Sequence, residues 1–253
     1  MHYEISYSCV SHIGKIRSRN QDNFICDKQY MNSDATGVTF PLNGCVSSTN
    51  PTLFGIFDGL GGEECGEIAS YIAAQTMCCE INTNNTVEFL QQRCFTANDE
   101  ICKFMKSNLI YSMGTTAAML LFNKQNITLC NIGDSRIFKI SQNSMKQISV
   151  DHVTFSPFGK KPFLSQNLGI PTDDALIEPY LCQFDYNSGD KYLICSDGLT
   201  DMVSEDEICK IISSESINNA TNTLLCKALD NGGKDNTTII LLEIKRKKFK
   251  FFK

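Results

Sequence analysis

Leu53-Phe54-Gly55-Ile56-Phe57-Asp58-Gly59 joins an apolar run to an acidic turn. The same pairing of an acidic turn with a strand-like apolar run recurs at Gly133-Asp134, Asp197-Gly198 and Asp235-Asn236. A strand that ends at an aspartate directs a carboxylate out of the sheet edge, where it can meet other carboxylates. Oxygen ligands suit Mg²⁺ or Mn²⁺ better than zinc. Each turn alone is also explained by the turn preference of Asp and Gly, but their joint occurrence predicts a site for a hard metal ion.

The composition is typical of one globular domain with a sizeable core. The chain has 253 residues, 42% of them hydrophobic, and no linker divides it. The formal net charge of -5 argues against nucleic acid as the main partner, because binding to a phosphate backbone needs a positive face. The same charge is compatible with a bound cation.

The cysteines and the N-terminus indicate where the protein works. The 13 cysteines are odd in number and include no Cys-x-x-Cys pair, and Cys130 and Cys195 lie inside apolar runs. This pattern predicts reduced, buried thiols. The N-terminus lacks a basic region followed by an apolar stretch, and no run approaches the roughly 18 apolar residues of a membrane span. We therefore expect a cytoplasmic protein without a transmembrane segment.

The first half of the chain predicts strands followed by two helices. Strands are expected at 5–10 and 24–26, and the stretch 28–52 reads as a loop or irregular hairpin. Helical spacing of apolar residues begins at Ile68, and a second helix over 87–105 carries a continuous apolar stripe.

The second half predicts hairpins, a further helix pair and a central last strand. Residues 151–190 read as mostly irregular, and Ser204 opens a Ser-x-x-Glu capping box. Strands are expected at 115–122, 127–132, 136–140, 191–195 and 237–244. The last helix is expected at 217–228. Because strands cluster and helices come in pairs, the order predicts an α+β fold and not alternating βαβ units.

Short polar motifs follow one another along nearly the whole chain. They are Arg17-Ser18-Arg19-Asn20-Gln21-Asp22, Phe57-Asp58-Gly59-Leu60-Gly61-Gly62, Gly114-Thr115-Thr116-Ala117, Gly133-Asp134-Ser135-Arg136, Asp151-His152, Ser196-Asp197-Gly198-Leu199 and Lys234-Asp235-Asn236-Thr237. In content and order they resemble the metal-dependent protein phosphatases of type 2C. The resemblance implies a four-layer α/β/β/α sandwich with two antiparallel sheets flanked by helix pairs. It places the catalytic domain at 1–245, with a short flap at about 153–174 and a basic C-terminal tail at 246–253.

The resemblance also implies a metal site. Asp58 would bridge two Mn²⁺ or Mg²⁺ ions, the Gly59 carbonyl would bind one of them, and Asp197 and Asp235 would complete the protein shell of the other. Asp134 matches a ligand of a third, weaker ion that it would share with Asp197. Water would fill the remaining positions, and a water held between two ions becomes the nucleophile as its pKa falls toward neutrality.

Further residues match supporting roles in the same family. Arg17 matches the phosphate-holding arginine, and its guanidinium could grip two phosphate oxygens at once. Because Arg19 lies nearby, the sequence leaves open which of the two arginines holds the phosphate. Asp22 fits a role in orienting metal-bound water, and Asn236 is expected to brace the site by hydrogen bonding.

The chain departs from the family pattern at several positions. Leu60 stands where many eukaryotic members have a histidine, which makes the motif similar to bacterial members. Gln21 stands where an acidic residue is frequent. Lys160 and Lys161 in the flap are candidates for docking a phosphopeptide. The lone His152 is expected to be structural, and the tail 245–253 to be a solvated terminus and not a contact with anionic membrane.

Two alternatives compete with an active enzyme of this type. Calcineurin-like metallophosphatases need several ligand histidines, and none of the three histidines adjoins an acidic turn. A catalytically silent pseudophosphatase, acting as a signalling or binding module, would be marked by a lost metal aspartate, whereas Asp58, Asp197 and Asp235 are all present. The sequence therefore predicts a monomeric serine/threonine protein phosphatase that acts on phosphorylated proteins and reverses the work of a protein kinase.

Overall fold

The computed structural model describes residues 3–38, 40–60, 65–82, 84–124, 126–141, 144–154 and 163–246. Within these ranges the strands are β1 (Tyr3–His12), β2 (Asp22–Cys26), β3 (Leu42–Ser47), β4 (Thr52–Asp58), β5 (Ala117–Phe122), β6 (Ile127–Ile132), β7 (Arg136–Ser141), β8 (Ser144–Gln147), β9 (Val153–Thr154), β10 (Phe163–Leu164), β11 (Tyr180–Phe184), β12 (Lys191–Cys195) and β13 (Thr237–Arg246). The helices are α1 (Gly66–Met77), α2 (Thr86–Asn108), α3 (Asp197–Thr200), α4 (Glu205–Ser214) and α5 (Ile217–Asp230).

Two antiparallel sheets form the centre of the molecule. The first has the strand order β3-β1-β13-β12-β7-β8 and the second has the order β11-β6-β5-β4-β2, while β9 and β10 form a separate small ladder. One core cluster lies between the sheets and includes Phe54, Phe122 and Tyr192. A second cluster joins α1 and α2 to the second sheet, and a third joins α4 and α5 to the first sheet. These layers confirm the α/β/β/α sandwich.

The last strand, β13, is central, as its apolar sequence predicts. It pairs with β1 on one side and β12 on the other. Its side chains alternate between two cores: Ile240 and Leu242 face the second sheet, and Ile239 and Leu241 face the helices. Because both faces are covered, the strand carries apolar residues at nearly every position. Each fully buried Ile or Leu side chain stabilises the fold by about 1.5–3 kcal/mol.

Helix boundaries follow from local capping. Asn85 precedes α2, and its side chain accepts a hydrogen bond from the Glu88 backbone N–H. The helix ends where Leu109 adopts a left-handed conformation, with φ of 56°. Ser204 caps α4 by accepting from the Glu207 backbone N–H, which is the first half of the predicted capping box, while the Glu207 carboxylate contacts Lys227 Nζ at 2.8 Å. Side-chain caps satisfy backbone donors that have no partner within the helix.

The structure contains elements that the sequence pattern did not predict. Strand β3 lies inside the stretch read as a loop or irregular hairpin, and β11 lies inside the stretch read as mostly irregular. Both are edge strands with only partial burial, so neither shows a continuous apolar pattern. Helix α3 follows Cys195 directly and is too short to show a helical period.

The flap and the tail are only partly described. Strands β9 and β10 lie within the predicted flap, whereas Lys160 and Lys161 lie outside the described residues. Strand β13 continues to Arg246, one residue into the predicted tail, and the rest of that tail also lies outside them. No helix in the described part of the chain is long and apolar enough to cross a membrane.

Candidate active site

The acidic turns lie at one end of the two sheets. Asp58 ends β4, and Asp134 follows β6 in the turn to β7. Asp197 follows β12, and Asp235 precedes β13, whose ladder pairs Cys195 with Ile239. Antiparallel neighbours bring the end of one strand beside the start of the next. The fold therefore gathers carboxylates that are far apart in sequence.

Asp22 connects the two sheets at this end. It begins β2 and pairs directly with Asp58 in the second sheet. Its Oδ2 accepts hydrogen bonds from Ser196 Oγ at 2.8 Å, just after β12, and from Thr238 Oγ1 at 2.7 Å, in β13 of the first sheet. Its Oδ1 is buried and has no hydrogen-bond partner among the described residues. Neither hydroxyl group was predicted to be part of the site. Ser196 offered a signal, since it directly precedes Asp197.

The Asp58-Gly59 turn is held through its backbone. The Asp58 N–H donates to Thr116 Oγ1 at 3.0 Å, and the Asp58 carbonyl accepts from Thr115 Oγ1 at 2.9 Å. The Gly59 N–H donates to the Gln21 carbonyl at 3.0 Å. A Cβ atom at Gly59 would collide with the carbonyl oxygens of Gly66 and Gln21. Only glycine fits at this position, and its place beside Asp58 is therefore dictated by packing.

Burial, together with the crowding of like charges, raises the pKa values of the acids. Burial and then the charge of Asp134 raise the pKa of Asp197 to about 7. Burial raises the pKa of Asp22 to about 6, although the hydrogen bonds from Thr238 and Ser196 act in the opposite direction. The pKa of Asp58 is raised well above its usual value by burial and by the charges of Asp22 and Asp197. Such a cluster favours a nearby positive charge.

The structure separates the two candidate arginines. The Arg17 guanidinium donates to Asp235 Oδ2 at 2.6 Å. This hydrogen bond is the main reason that the pKa of Arg17 is raised, and the charges of Asp58 and Asp197 add to it. Arg19 instead forms an ion pair with Glu67. Arg17 is therefore the arginine that lies at the acidic cluster.

Asn236 ties the loop that carries Arg17 to the start of β13. Its Nδ2 donates to the carbonyls of Ile13 at 2.8 Å and Arg19 at 2.9 Å. Its Oδ1 accepts from the Gln21 N–H at 2.8 Å. A buried amide with three backbone partners is a rigid brace, which is the arrangement expected of Asn236.

The turn that carries Asp134 is held by His152. The backbone N–H of Gly133 donates to His152 Nδ1 at 3.2 Å. The backbone N–H of His152 donates to the Gly133 carbonyl at 3.0 Å. Burial lowers the pKa of His152, which favours the neutral ring that can accept this bond. Gly133 has a positive φ of 99°. His152 thus has structural contacts, as expected.

The donor set fits a hard cation. It consists of carboxylate oxygens and the backbone carbonyl of Gly59, with the buried Asp22 Oδ1 still lacking a donor. Divalent magnesium and manganese accept such oxygens and keep several waters. In the described ranges, no group of three or more Asp, Glu, His or Cys side chains is placed so that it could hold a metal ion, and Asp235 holds Arg17. Water would therefore have to supply a large share of the ligands.

The comparison with protein families covers most of the chain. A family model described as protein phosphatase 2C matches residues 27–230. The chain belongs to this family. Within it, the chain is similar to serine/threonine phosphatase stp of Listeria welshimeri, with 26% identity, 91% of this chain and 92% of that protein being covered. It is also similar to protein phosphatase PhpP of Streptococcus pneumoniae, with 28% identity and coverage of 94% and 96%.

Solved structures of the family share the fold. Serine/threonine phosphatase Stp1 from Staphylococcus aureus superposes with a TM-score of 0.77 at 26% identity, covering 95% of each chain. The catalytic domain of the serine/threonine protein phosphatase PstP, solved in complex with two manganese ions, gives a TM-score of 0.78 at 24% identity, covering 96% of this chain and 100% of that one. The predicted fold and family are therefore confirmed.

Proposed function

We propose that this chain is a metal-dependent phosphatase that hydrolyses phosphoserine and phosphothreonine in proteins. One observation carries the proposal: in a chain of the protein phosphatase 2C family, Arg17 lies against an acidic cluster that includes Asp58, Asp197 and Asp235. The cluster is suited to cations and the arginine to a phosphate group. Relatives that match this chain over most of their length are named serine/threonine phosphatases.

The proposed cofactors are two Mn²⁺ or Mg²⁺ ions. Asp58, the Gly59 carbonyl, Asp197 and Asp235 would hold them, and Asp134 with Asp197 would hold a third, weaker ion. The chemistry supplied by such ions is activation of a water molecule as the nucleophile and neutralisation of the charge that builds up on the phosphoryl oxygens. The manganese-bound PstP structure supports metal dependence.

The protein residues position the reactants. Arg17 would bind the phosphate group of the substrate, using the guanidinium that here contacts Asp235. Asp22 is held by Ser196 and Thr238, so that its Oδ1 remains available to accept a hydrogen bond from a water molecule. Leu60 has no proton to donate, and the leaving oxygen of the substrate would receive its proton from metal-bound water or from another group.

The proposal extends to the setting of the reaction. The substrates would be phosphoproteins made by a serine/threonine kinase, and the enzyme would act as a cytoplasmic monomer. All 13 cysteines are free thiols in the structure, which fits a reducing compartment. Residues 1–245 would form the catalytic domain, with the flap at about 153–174 governing substrate choice.

A metal-dependence assay tests the proposal. Purified protein with Mn²⁺ should hydrolyse p-nitrophenyl phosphate and a phosphothreonine peptide, and excess chelator should abolish both activities. Asp58→Asn should lower turnover by roughly 100-fold or more, because charge stabilisation by a bound cation is worth several kcal/mol. Asp185→Asn, an exposed position just after β11, is the matched control. A phosphopeptide that binds to the Mn²⁺-loaded wild type without being hydrolysed would instead indicate the pseudophosphatase.

A further inference from the structure

An ion pair joins the loop that carries Arg17 to helix α1. The Arg19 guanidinium contacts the Glu67 carboxylate in the first turn of that helix. The Glu67 side chain is only 8% exposed, whereas Arg19 is 70% exposed. A nearly buried carboxylate that loses its cation carries a desolvation cost with no compensation. The pair therefore constrains Arg19 more strongly than an ordinary surface salt bridge would.

The backbone of Arg19 is tied to the opposite side of the site. Its carbonyl accepts from Asn236 Nδ2 at 2.9 Å, and the adjacent Asp235 holds Arg17 at 2.6 Å. One residue thus bridges the start of β13, through its main chain, and α1, through its side chain. Arg17 lies two positions before this bridge.

The segment just after Arg19 contacts both the Asp58-Gly59 turn and the start of α1. The Gln21 carbonyl accepts from the Gly59 N–H at 3.0 Å. The Gln21 side chain packs on Gly66, where an added Cβ would lie 2.6 Å from Nε2. The ion pair thus adds a side-chain contact to the backbone and packing contacts that hold residues 19–21 against Gly59 and α1.

We propose that Arg19 is a positioning residue for the phosphatase reaction. Its ion pair with Glu67 fixes the loop of residues 13–21 and so sets where the Arg17 guanidinium meets the substrate phosphate. Arg19 itself does not touch the substrate, because its guanidinium is engaged by Glu67. This inference rests on the proposed function, and it assigns the two arginines of one motif to different tasks.

Kinetics with matched variants test the proposal. Arg19→Ala and the isosteric Glu67→Gln should each raise KM for a phosphothreonine peptide, and the inhibition constant of inorganic phosphate, by about 3- to 10-fold. Turnover should change by less than about twofold, because the variants weaken binding of the substrate and of the transition state equally. Arg19→Lys should restore wild-type values, because a single charged contact does not need the guanidinium fork.

A second ion pair supplies the control. Lys139 lies 2.8 Å from Asp190, whose side chain is 9% exposed, at the opposite end of β12 from Asp197. Lys139→Ala removes the same kind of pair away from the site and should leave KM unchanged. Wild-type kinetics in both Arg19→Ala and Glu67→Gln, or an equal rise of KM in Lys139→Ala, would overturn the proposal.

Hydrogen exchange separates this inference from the proposed function. In chelator-treated protein, amides of residues 13–22 should exchange faster in Arg19→Ala and Glu67→Gln than in the wild type and in Lys139→Ala. Unchanged exchange refutes the positioning role even where KM rises. If Mn²⁺-loaded wild type hydrolyses nothing, the proposed function fails, while the exchange data still decide whether the pair fixes the loop.

Discussion

Asp197→Asn should stabilise the metal-free protein. The pKa of Asp197 is raised from 3.8 to about 7 by burial and by neighbouring acids. At 1.36 kcal/mol per pKa unit, the full shift corresponds to ~4 kcal/mol. Burial is the largest cause of the shift, and the charges of Asp134 and Asp235 add to it. Because Asn is itself a partly buried polar group at this position, one substitution recovers only part of this energy. We therefore expect a gain of about 1–2 kcal/mol in the free energy of unfolding once the carboxylate is ionised.

The sign of the effect fixes its pH dependence. A group whose pKa is raised in the folded state contributes stability that is complete below its unfolded pKa and is lost as pH rises through its folded pKa. The advantage of Asp197→Asn should therefore grow from about pH 4 and level off above about pH 7. At pH 4.5 it should be about a fifth of its final size, because only that part of the titration interval has been crossed.

Thermal unfolding in excess chelator measures the prediction. For a chain of this length, 1–2 kcal/mol corresponds to a rise in Tm of about 2–8 °C at pH 8. Asp185→Asn, an exposed control, should show no comparable rise. A Tm for Asp197→Asn at pH 8 that is equal to or below the wild-type Tm would refute the argument that these carboxylates repel one another in the folded state.

Other substitutions and reagents test separate parts of the structure. Arg17→Ala should raise KM for a phosphopeptide, because the charge nearest the acidic cluster is removed; an unchanged KM and turnover would show that Arg17 is not the phosphate ligand. Gly198→Ala should cost about 2 kcal/mol or more in urea unfolding, since a Cβ there would collide with the Asn236 carbonyl; wild-type stability would contradict this packing. A thiol reagent at pH 8 should label the exposed Cys45 quickly and spare Cys130, whose pKa is raised by its hydrogen bond with Cys94 and by burial; rapid labelling of Cys130 in the native protein would contradict its burial.

Helix α2 and strand β13 were predictable from their local sequence patterns. The apolar stripe of α2 identifies a helix that buries one face, and the nearly unbroken apolar run of β13 identifies a strand that is covered on both faces. Strands β3 and β11 were missed because they lie at sheet edges, where exposure dilutes the period-2 pattern. Their existence depends on pairing with β1 and β6, which a local window does not contain.

The motifs pointed to acidic residues that the fold brings close together, but they did not predict what surrounds these residues. Ser196 and Thr238 are separated from Asp22 by 174 and 216 residues. Their contacts depend on the register of β12 and β13, which places two hydroxyl groups over one carboxylate of the other sheet. The sequence likewise could not show which of Arg17 and Arg19 lies at the acidic cluster, because both arginines belong to one polar loop. Only the fold gives them different partners, Asp235 and Glu67.

Placing several carboxylates close together costs free energy, and many hydrogen bonds and packing contacts hold them in place. Asp22 is buried and has a raised pKa, and Asp58 opposes it in the same ladder. In the absence of a cation, this arrangement opposes folding, and only a rigid surrounding structure keeps the carboxylates together. Hydroxyl donors, the Asn236 brace and the sandwich cores provide that rigidity. A divalent cation turns the same repulsion into binding energy, because it stabilises the ionised form of every acid that the fold has forced into proximity.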